Sequence, residues 1–218
     1  SEIVALTVEF FQPVATPLAG QRWLITAGPT RAVLDPVRYI SNHSSGKMGY
    51  ALAQAAVELG AKVNLISGPV NIAAPRDVSV INIETAEQLL QHSLAHAVNS
   101  DAFIGCAAVA DYRAANIADQ KMKKQGDELT LTLVKNPDVI AAVANLDHKR
   151  PYTVGFAAET QNVASYAKGK LSNKNLDMIC ANDVSKSGLG FNYDHNALTL
   201  YWHDQQKELV IDTKYALA

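Results

Sequence analysis

Hydrophobic residues recur along this chain in two alternating patterns. Short, almost continuous apolar runs are typical of buried strands, and they occupy residues 22–27, 61–67, 78–83, 102–108, 152–157 and 178–181. Between these runs, apolar residues follow helical spacing in residues 47–60, 86–99, 136–145 and 162–171. Such strands alternating with helices predict an α/β fold, with a mostly parallel sheet and helices on both faces.

Weaker patterns complete this prediction. Residues 129–134 alternate between apolar and polar side chains, which predicts a strand or one arm of a hairpin. Residues 198–203 and 208–211 predict a small antiparallel hairpin near the end of the chain. Gly60 is placed to end the helix before it, because glycine readily adopts the left-handed conformation that follows many helices.

The length of 218 residues suits one large domain. We expect residues 1–20 to be the remnant of an interdomain linker and residues 21–218 to form the domain. Residues 213–218 resemble the start of a helix, so the domain is expected to be truncated at this end, or disordered there. No apolar stretch reaches the ~18 residues that a membrane-spanning helix needs, and no signal peptide opens the chain.

The charge balance argues for a local anion site and against a broad nucleic-acid surface. Lys and Arg number 19, Asp and Glu number 21, and the formal net charge is −2. An anionic ligand must therefore be held by a cluster of donors and lysines. Cys106 and Cys180 both lie in apolar runs, and we interpret them as reduced thiols of the core, with Cys106 packed and not activated.

Ligands of parallel sheets bind beyond the carboxyl ends of the strands, so the loops there are the first place to look. The strongest signal is the segment 41–49, SNHSSGKMG, where small hydroxyl residues and glycine open a helix. Backbone N–H groups and the helix dipole at such a start hold a phosphate well. A plain serine N-cap is the alternative. The segment matches neither a Walker A loop nor a dinucleotide fingerprint.

Other polar residues follow predicted strands or precede helices. Arg38 and Asn42 precede the segment 41–49 and suit a carboxylate, a phosphate or a carbonyl oxygen, although a surface salt bridge explains Arg38 equally well. Small residues at 105–110 allow a flat ring to approach closely, and Asp111 follows them with a hydrogen-bond acceptor. Close helix packing and a solvated carboxylate are the alternative there.

Lysines form two groups. Lys121, Lys123 and Lys124 lie in a charged interruption that is interpreted as a mobile flap, or as an ordinary solvated loop. Lys170 and Lys174 lie four apart near a helix end, where both can reach one anion, although the helix dipole alone favours lysines there. The pair His92 and His96 has no ligand nearby to complete a metal site, so a surface helix face is expected.

The sequence also contains longer motifs that resemble those of a known family. In chain order they are ITAGPTR, LDPVRYISNHSSGKMG, GCAAVADYR, KMKK, VKNPD, VGFAAET and LDMICAND. These motifs resemble the bacterial phosphopantothenoylcysteine synthetase family, and the similarity runs from Arg22 to Ile211. In that family the domain usually follows a flavin-dependent phosphopantothenoylcysteine decarboxylase in one polypeptide. The flavin domain is not part of this sequence, so no flavin is expected here.

The resemblance implies a cytoplasmic homodimer of Rossmann-like subunits that uses CTP with Mg²⁺. Phosphopantothenate would become an acyl-cytidylate, and cysteine would then form phosphopantothenoylcysteine with release of CMP, in coenzyme A biosynthesis. The implied nucleotide contacts are Gly105, Cys106, Ala107, Asp111, Lys121, Pro137, Asp138, Val139, Ile140, Phe156, Lys170 and Lys174. The implied contacts to the substrate and to phosphate groups are Arg38, Asn42, Ser44, Ser45, Gly46 and Ala108.

Two of these residues carry catalytic roles by resemblance. Lys121 matches the family's essential lysine and would stabilise charge during acyl-nucleotide formation. Asn42 matches its essential asparagine and would hold the acyl intermediate. Whether Ser44, Ser45 and Gly46 bind a phosphate of the nucleotide or that of phosphopantothenate stays open, and no metal ligand from the protein is predicted.

Three other functions compete with this hypothesis. A nicotinamide-dependent reductase is disfavoured because the glycine fingerprint is missing. A non-catalytic nucleotide-binding subunit is disfavoured because Asn42 and Lys121 are both present. A ligase of the same kind that uses ATP is not distinguished by the residues, since the preference for CTP comes from the resemblance alone.

Overall fold

The predicted strands form one eight-stranded sheet in a computed structural model, which describes residues 16–124, 126–159, 161–183 and 193–218. The strands are β1 (Arg22–Ala27), β2 (Ala32–Val33), β3 (Tyr39–Ile40), β4 (Lys62–Ser67), β5 (Val78–Asn82), β6 (Ala102–Gly105), β7 (Tyr112–Ala114), β8 (Leu133–Lys135), β9 (Tyr152–Glu159), β10 (Met178–Asp183), β11 (His195–Trp202) and β12 (Gln205–Thr213). The helices are α1 (Lys47–Glu58), α2 (Ala86–Ala97), α3 (Val139–Ala144) and α4 (Val163–Asn173).

The large sheet has the order β5-β4-β1-β6-β9-β10-β11-β12. Its first six strands are parallel neighbours, and β11 and β12 add an antiparallel hairpin at one edge. Among the parallel strands the order is the 3-2-1-4-5-6 order of a Rossmann fold. The predicted fold class is therefore confirmed. The strand order reverses between β1 and β6, and ligands bind at such a switch point.

Helices cover both faces because side chains alternate along each buried strand. In β1, Ile25 packs in the cluster that contains α1, whereas its neighbour Leu24 packs in the cluster that contains α2 and α3. Helix α4 packs with β9, β10 and β11 through Ala157, Ala167 and Ile179. The sheet is therefore buried on both sides near the switch point, which fixes the positions of the loops that follow β1 and β6.

Local sequence signals set the helix boundaries. Thr85 caps α2 in a capping box with Gln88, whose backbone N–H donates to the Thr85 hydroxyl at 3.2 Å. Asp138 caps α3 by accepting from the Ala141 N–H at 3.1 Å. Gly60 follows α1 with φ of 98°, which confirms its predicted role as the residue that ends the helix.

Two predicted segments differ from the structure. The run 102–108 stops being a strand at Gly105, because the next backbone N–H groups leave the ladder for the Thr26 hydroxyl. Of residues 129–134, only the last two belong to a strand, because β8 pairs over three residues with β7, a strand the pattern did not predict.

The helix start predicted after β12 is present as a single turn over residues 214–217. The Thr213 hydroxyl accepts from the Ala216 N–H and the Thr213 carbonyl accepts from the Leu217 N–H, both at 3.1 Å.

Two further features bear on the predictions. The short pair β2 and β3 was not predicted, since two-residue strands carry no periodicity. Residues 1–15, most of the expected linker, lie outside the described residues. Among the described residues, no helix is both long enough and apolar enough to cross a membrane.

Candidate active site

A cavity of about 320 Å³ opens at the carboxyl ends of β1, β6, β9 and β10. Most of the residues predicted to contact ligands line it together: Ser44, Ser45, Gly46, Gly105, Cys106, Ala107, Ala108, Asp111, Pro137, Asp138, Val139, Ile140, Phe156, Lys170 and Lys174. The sequence places these residues in four separate segments. The parallel sheet brings them to one edge because strand ends of the same direction lie side by side.

Small residues after β6 form one wall of the cavity. The Thr26 hydroxyl oxygen, on the neighbouring strand β1, accepts from the backbone N–H groups of Cys106 and Ala107, both at 3.1 Å. A side chain at Gly105 would place its Cβ 2.6 Å from the Ile140 Cδ1, so the Ile140 side chain would have to move to admit it. The wall therefore has room for a flat group against backbone atoms.

Both cysteines are free thiols, as expected. Burial raises the pKa of Cys106 to about 12, and burial likewise raises the pKa of Cys180 to about 12. Each thiol therefore stays protonated at neutral pH, where only a thiolate is a good nucleophile. Cys106 lines the cavity as a packing residue and not as an activated nucleophile, in agreement with the prediction.

The start of α1 forms the second wall. Gly46 is the N-cap residue, with φ of 78°. Since glycine has no side chain, no capping hydrogen bond forms at this position. The alternative of a plain serine N-cap is therefore wrong. The Asn42 side chain joins this wall to the first one, since its Nδ2 donates to the Ala108 carbonyl at 2.7 Å and its Oδ1 accepts from the Ser44 N–H at 3.0 Å.

Two lysines of α4 form ion pairs at the rim of the cavity. The Lys170 Nζ lies 2.6 Å from the Glu159 Oε1, and the Lys174 Nζ lies 2.8 Å from the Asp138 Oδ2. Both lysines line the cavity, as predicted, but each already has a carboxylate partner. An incoming anion would share these cations with the carboxylates. The exposed Asp111 adds an acceptor on the opposite wall.

Three predicted site residues lie outside the cavity lining: Arg38, Asn42 and Lys121. Arg38 forms a salt bridge with the buried Asp35, with its Nη2 2.6 Å from the Asp35 Oδ2. The same Nη2 donates to the Met122 carbonyl at 2.8 Å, and the Met122 N–H donates to the Asp35 Oδ2 at 3.0 Å. Asp35 therefore ties the backbone next to Lys121 to the loop that carries Arg38.

The bonds to Asp35 predict an acid-sensitive contribution to stability. The Arg38 guanidinium and three backbone N–H groups hold the pKa of the Asp35 carboxyl well below its usual range. Since the folded-state pKa is lower than the unfolded value of about 3.9, the stabilisation is complete above that pH and is lost as pH falls below it.

We expect Asp35→Asn to lower the urea midpoint at pH 7, because the amide loses the charged partner of Arg38. The gap between variant and wild type should narrow as pH falls from about pH 4 to pH 3, because the carboxyl of the unfolded wild-type chain becomes protonated in this range while the folded one stays charged. Denaturation series at several pH values measure this gap. A gap that stays constant below pH 4 would contradict the role given to the Asp35 charge. Asp119→Asn, which changes an exposed carboxylate, is the control.

The chain is similar to known proteins over nearly its whole length. The family model for the DNA/pantothenate metabolism flavoprotein C-terminal domain matches residues 18–218. The chain belongs to this family. The family membership predicted from the sequence motifs is thereby confirmed.

Curated relatives of the chain are named coenzyme A biosynthesis bifunctional protein CoaBC. The protein from Vibrio parahaemolyticus is 57% identical over all of this chain and 54% of its own length. That from Escherichia coli K12 is 55% identical over 99% of this chain and 53% of its own length. The chain therefore spans about half the length of the curated relatives it matches.

Solved structures of this domain agree with the fold. The crystal structure of the C-terminal domain of a CoaBC protein superposes with a TM-score of 0.79 at 39% identity, covering 93% of this chain and 92% of that one. A structure of Cab2 in complex with phosphopantothenate-cysteine superposes with a TM-score of 0.74, over 96% of this chain and 84% of that one. At 14% identity the second likeness concerns the fold alone.

The structure adds cavity residues that the sequence did not single out as ligand contacts. Polar ones among them are Thr26, Lys47, Lys135, Asn136, Asn182, Asn196 and Lys214. Asn182 is the second-to-last residue of the segment LDMICAND, so that segment was the only signal for it. Lys214 lies in the segment interpreted as a helix start, and only the folding of the hairpin β11–β12 brings it to the cavity.

Within the described ranges, no group of three or more His, Cys, Asp or Glu side chains is placed to hold a metal ion. His92 and His96 stack on α2 with ring centroids 6.4 Å apart, as partly exposed residues of one helix face. This placement agrees with their interpretation as surface residues.

Proposed function

We propose that this domain is a CTP-dependent ligase that joins (R)-4'-phosphopantothenate to L-cysteine and forms phosphopantothenoylcysteine, CMP and diphosphate. The single observation that carries the proposal is the composition of the cavity. A helix start suited to phosphate and a wall suited to a flat ring meet at the switch point of a Rossmann sheet. Membership in a family whose curated relatives are named for coenzyme A biosynthesis supports this substrate class over those of other nucleotide-binding enzymes.

The reaction needs two steps because a carboxylate is a poor acyl donor. In the first, a carboxylate oxygen of phosphopantothenate bonds to the α-phosphorus of CTP, and pyrophosphate leaves with the electron pair of the broken bond. In the second, the neutral amine of cysteine bonds to the acyl carbon, CMP leaves with the electron pair, and the nitrogen loses a proton. Both steps build negative charge on oxygen atoms, which backbone donors and lysines stabilise.

The nucleotide is assigned to the wall formed by Gly105, Cys106 and Ala107. The same space is bordered by the turn before α3 and by Phe156, Lys170 and Lys174. Asp111 offers an acceptor to a hydroxyl or an exocyclic amino group of the nucleotide. Gly105 supports this assignment, because a Cβ there would clash with Ile140 and would also fill part of the wall. The loop of Ser44, Ser45 and Gly46 is assigned to a phosphate group.

Asn42, Arg38 and Lys121 are assigned to the acyl group and to its activation. Asn42 bridges the loop of Ser44 and the carbonyl of Ala108, which places its amide between the proposed phosphate and nucleotide positions. Lys121 is next to the anchored Met122, and the proposal requires its ammonium to approach the bound nucleotide. Its charge would then offset the charge that develops as pyrophosphate leaves.

Magnesium is proposed to enter with CTP. Mg²⁺ usually keeps several waters and is bound largely through substrate phosphates. Of the two cavity carboxylates, Asp138 already caps α3 and pairs with Lys174, and Asp111 is assigned to the nucleotide, so the phosphates of CTP are proposed to hold the ion. When bound, the ion would neutralise phosphate charge, while the residues of the chain orient the reacting groups.

The quaternary arrangement belongs to the same proposal. We assign this domain to a cytoplasmic homodimer, and in the full-length protein to the partner of an N-terminal phosphopantothenoylcysteine decarboxylase domain that carries the flavin. Exposed apolar side chains on the edge strand β12, Val210 at 81% and Ile211 at 63%, support a subunit contact there. Light scattering on the purified domain measures the assembly.

The proposed function predicts two products from one mixture. Incubation with phosphopantothenate, CTP, Mg²⁺ and cysteine should release pyrophosphate and CMP in equal amounts, and phosphopantothenate with CTP alone should already release pyrophosphate. Parallel reactions with ATP test the nucleotide preference, and we expect CTP to be used faster. A folded sample that releases neither product with either nucleotide would refute the proposal.

A further inference from the structure

One end of the cavity contains a group of polar side chains that the proposed roles leave unassigned. It is defined here as the inner arm and consists of Asn182, Asn196 and Lys214. Asn182 lies two residues after Cys180 on β10 and therefore points to the same face of the sheet as Cys180. Asn196 lies on β11, beyond an irregularity in its pairing with β12, and lines the same cavity as Asn182.

Lys214 reaches the inner arm through the end of the hairpin. Its backbone N–H donates to the Asp194 carbonyl at 2.8 Å, which continues the pairing of β11 with β12 by one position. Asn196 pairs with Asp212, two residues before Lys214, so the Lys214 side chain shares the face of Asn196. The three residues come together on the side of the sheet that α1 covers.

Both asparagines have an unsatisfied oxygen. Asn182 is 9% exposed and Asn196 is 4% exposed, and the Oδ1 atom of each is buried without a hydrogen-bond partner among the described residues. A buried acceptor without a donor costs about 1–3 kcal/mol, so such atoms are rare in folded proteins unless something else satisfies them. Two of them on the wall of one cavity indicate a ligand that carries N–H or O–H donors.

Positive charge lies beside these acceptors. Lys214 is 6% exposed, and its Nζ donates to the Tyr193 carbonyl at 2.7 Å. Burial, and then the neighbouring charge of Lys47, lower the pKa of Lys214. Lys47 itself pairs with Asp194 at 2.6 Å. The inner arm therefore combines a buried cation with two acceptors, next to the start of α1.

We propose that the inner arm binds the amino acid substrate, with its carboxylate at Lys214 and its amine at the oxygens of Asn182 and Asn196. This inference rests on the proposed ligase function and assigns the position of cysteine within it. A phosphate group carries no donor at neutral pH and would leave both oxygens unsatisfied. A cysteine molecule has one anionic group and one donor group, which match both kinds of residue in the arm.

The charge of the inner arm also suits the chemistry. Only the neutral amine has the lone pair that attacks an acyl group, and nearby lysines disfavour a protonated amine by like-charge repulsion. An asparagine oxygen can accept an N–H of the amine while the lone pair stays available to the acyl carbon. The arm and the wall that carries Ala108 border the same cavity, so the two reactants can meet without passing through solvent.

The first test uses Asn196→Leu, which keeps the size of the side chain and removes its acceptor. We expect the KM for cysteine to rise at least about tenfold, because the bond to the amine is lost. Pyrophosphate release in the absence of cysteine should stay within about twofold of wild type. Removing a buried unsatisfied oxygen should also leave the thermal midpoint unchanged or raise it, which distinguishes lost binding from damaged folding.

The second test uses Lys214→Met and compares cysteine with cysteamine, which is cysteine without its carboxylate. Wild type should prefer cysteine in kcat/KM by at least about tenfold, and the variant should lose most of this preference because its partner for the carboxylate is gone. Lys207→Met changes an exposed lysine of the same hairpin outside the cavity lining and is the matched control.

The outcomes separate this inference from the function on which it rests. If wild type releases no pyrophosphate from CTP and phosphopantothenate, the proposed ligase function and this inference both fail. If that half-reaction proceeds but both variants keep the wild-type KM for cysteine and the preference over cysteamine, the inference fails and the ligase function stands. If the variants instead raise the KM for CTP or phosphopantothenate, the arm binds that substrate and the assignment to the amino acid is wrong.

Discussion

Lys121→Gln should abolish the release of pyrophosphate from CTP, lowering its rate by at least about 10²-fold. The ammonium of Lys121 is the group assigned to the charge that develops on the phosphate oxygens, and glutamine has a similar reach but no charge. The anchor at Met122 supports this assignment, since Asp35 and Arg38 hold its backbone N–H and carbonyl at 3.0 and 2.8 Å. A lysine beside a fixed backbone position can act at a defined place.

The neighbouring lysines provide the matched controls for this prediction. Lys123→Gln and Lys124→Gln remove the same charge from the same exposed segment, so both should keep the rate of pyrophosphate release within about threefold of wild type. Single-turnover measurement with phosphopantothenate and CTP reports the step directly. Equal losses in all three variants would mean that the segment contributes general positive charge and that Lys121 has no special role.

Asn42→Asp should block ligation while sparing pyrophosphate release to a larger extent. The substitution keeps the shape of the side chain but replaces the Nδ2 donor, which lies 2.7 Å from the Ala108 carbonyl, with a second oxygen. Two acceptors at this distance repel each other, and a negative charge enters a site meant for anions. We expect the second step to slow by at least about 10²-fold, the cost of losing one positioned donor.

Quenched-flow measurement of acyl-cytidylate separates the two steps for this variant. The intermediate should accumulate in Asn42→Asp, and CMP release on addition of cysteine should be slow. Asn99→Asp makes the same chemical change at an exposed position after α2 and should behave as wild type. Rapid ligation by Asn42→Asp, or equal loss of both steps, would refute the role given to Asn42.

The candidate site was only partly predictable from the sequence. The segment 41–49 was predicted as a phosphate site because a serine- and glycine-rich helix start is a local feature, and the structure places Gly46 at the N-cap. The small residues after β6 were also predicted, since parallel strands end in ligand-binding loops. The ion pairs of Lys170 and Lys174 were not predicted, because their partners Glu159 and Asp138 lie on other elements, β9 and the start of α3, that only the fold brings beside α4.

The strand boundaries were also only partly predictable from the sequence. The apolar pattern through residues 102–108 is uniform, yet β6 ends at Gly105 because the Thr26 hydroxyl, on another strand, takes the next two N–H groups. Strand β7 was not predicted because three residues carry too little periodicity. Its pairing with β8 determines which of residues 129–134 belong to a strand. Hydrogen bonds between distant segments decide such boundaries.

The sequence by itself determined the α/β class, the alternation of strands and helices, and the end of α1 at Gly60, because hydrophobic periodicity and glycine conformation are local properties. Only the tertiary structure decided which side chains share the cavity. Asn182, Asn196 and Lys214 show this most clearly, since the pairing of β10, β11 and β12 brings them to one cavity. Their burial beside one another depends on contacts across the sheet, and no short stretch of sequence encodes such contacts.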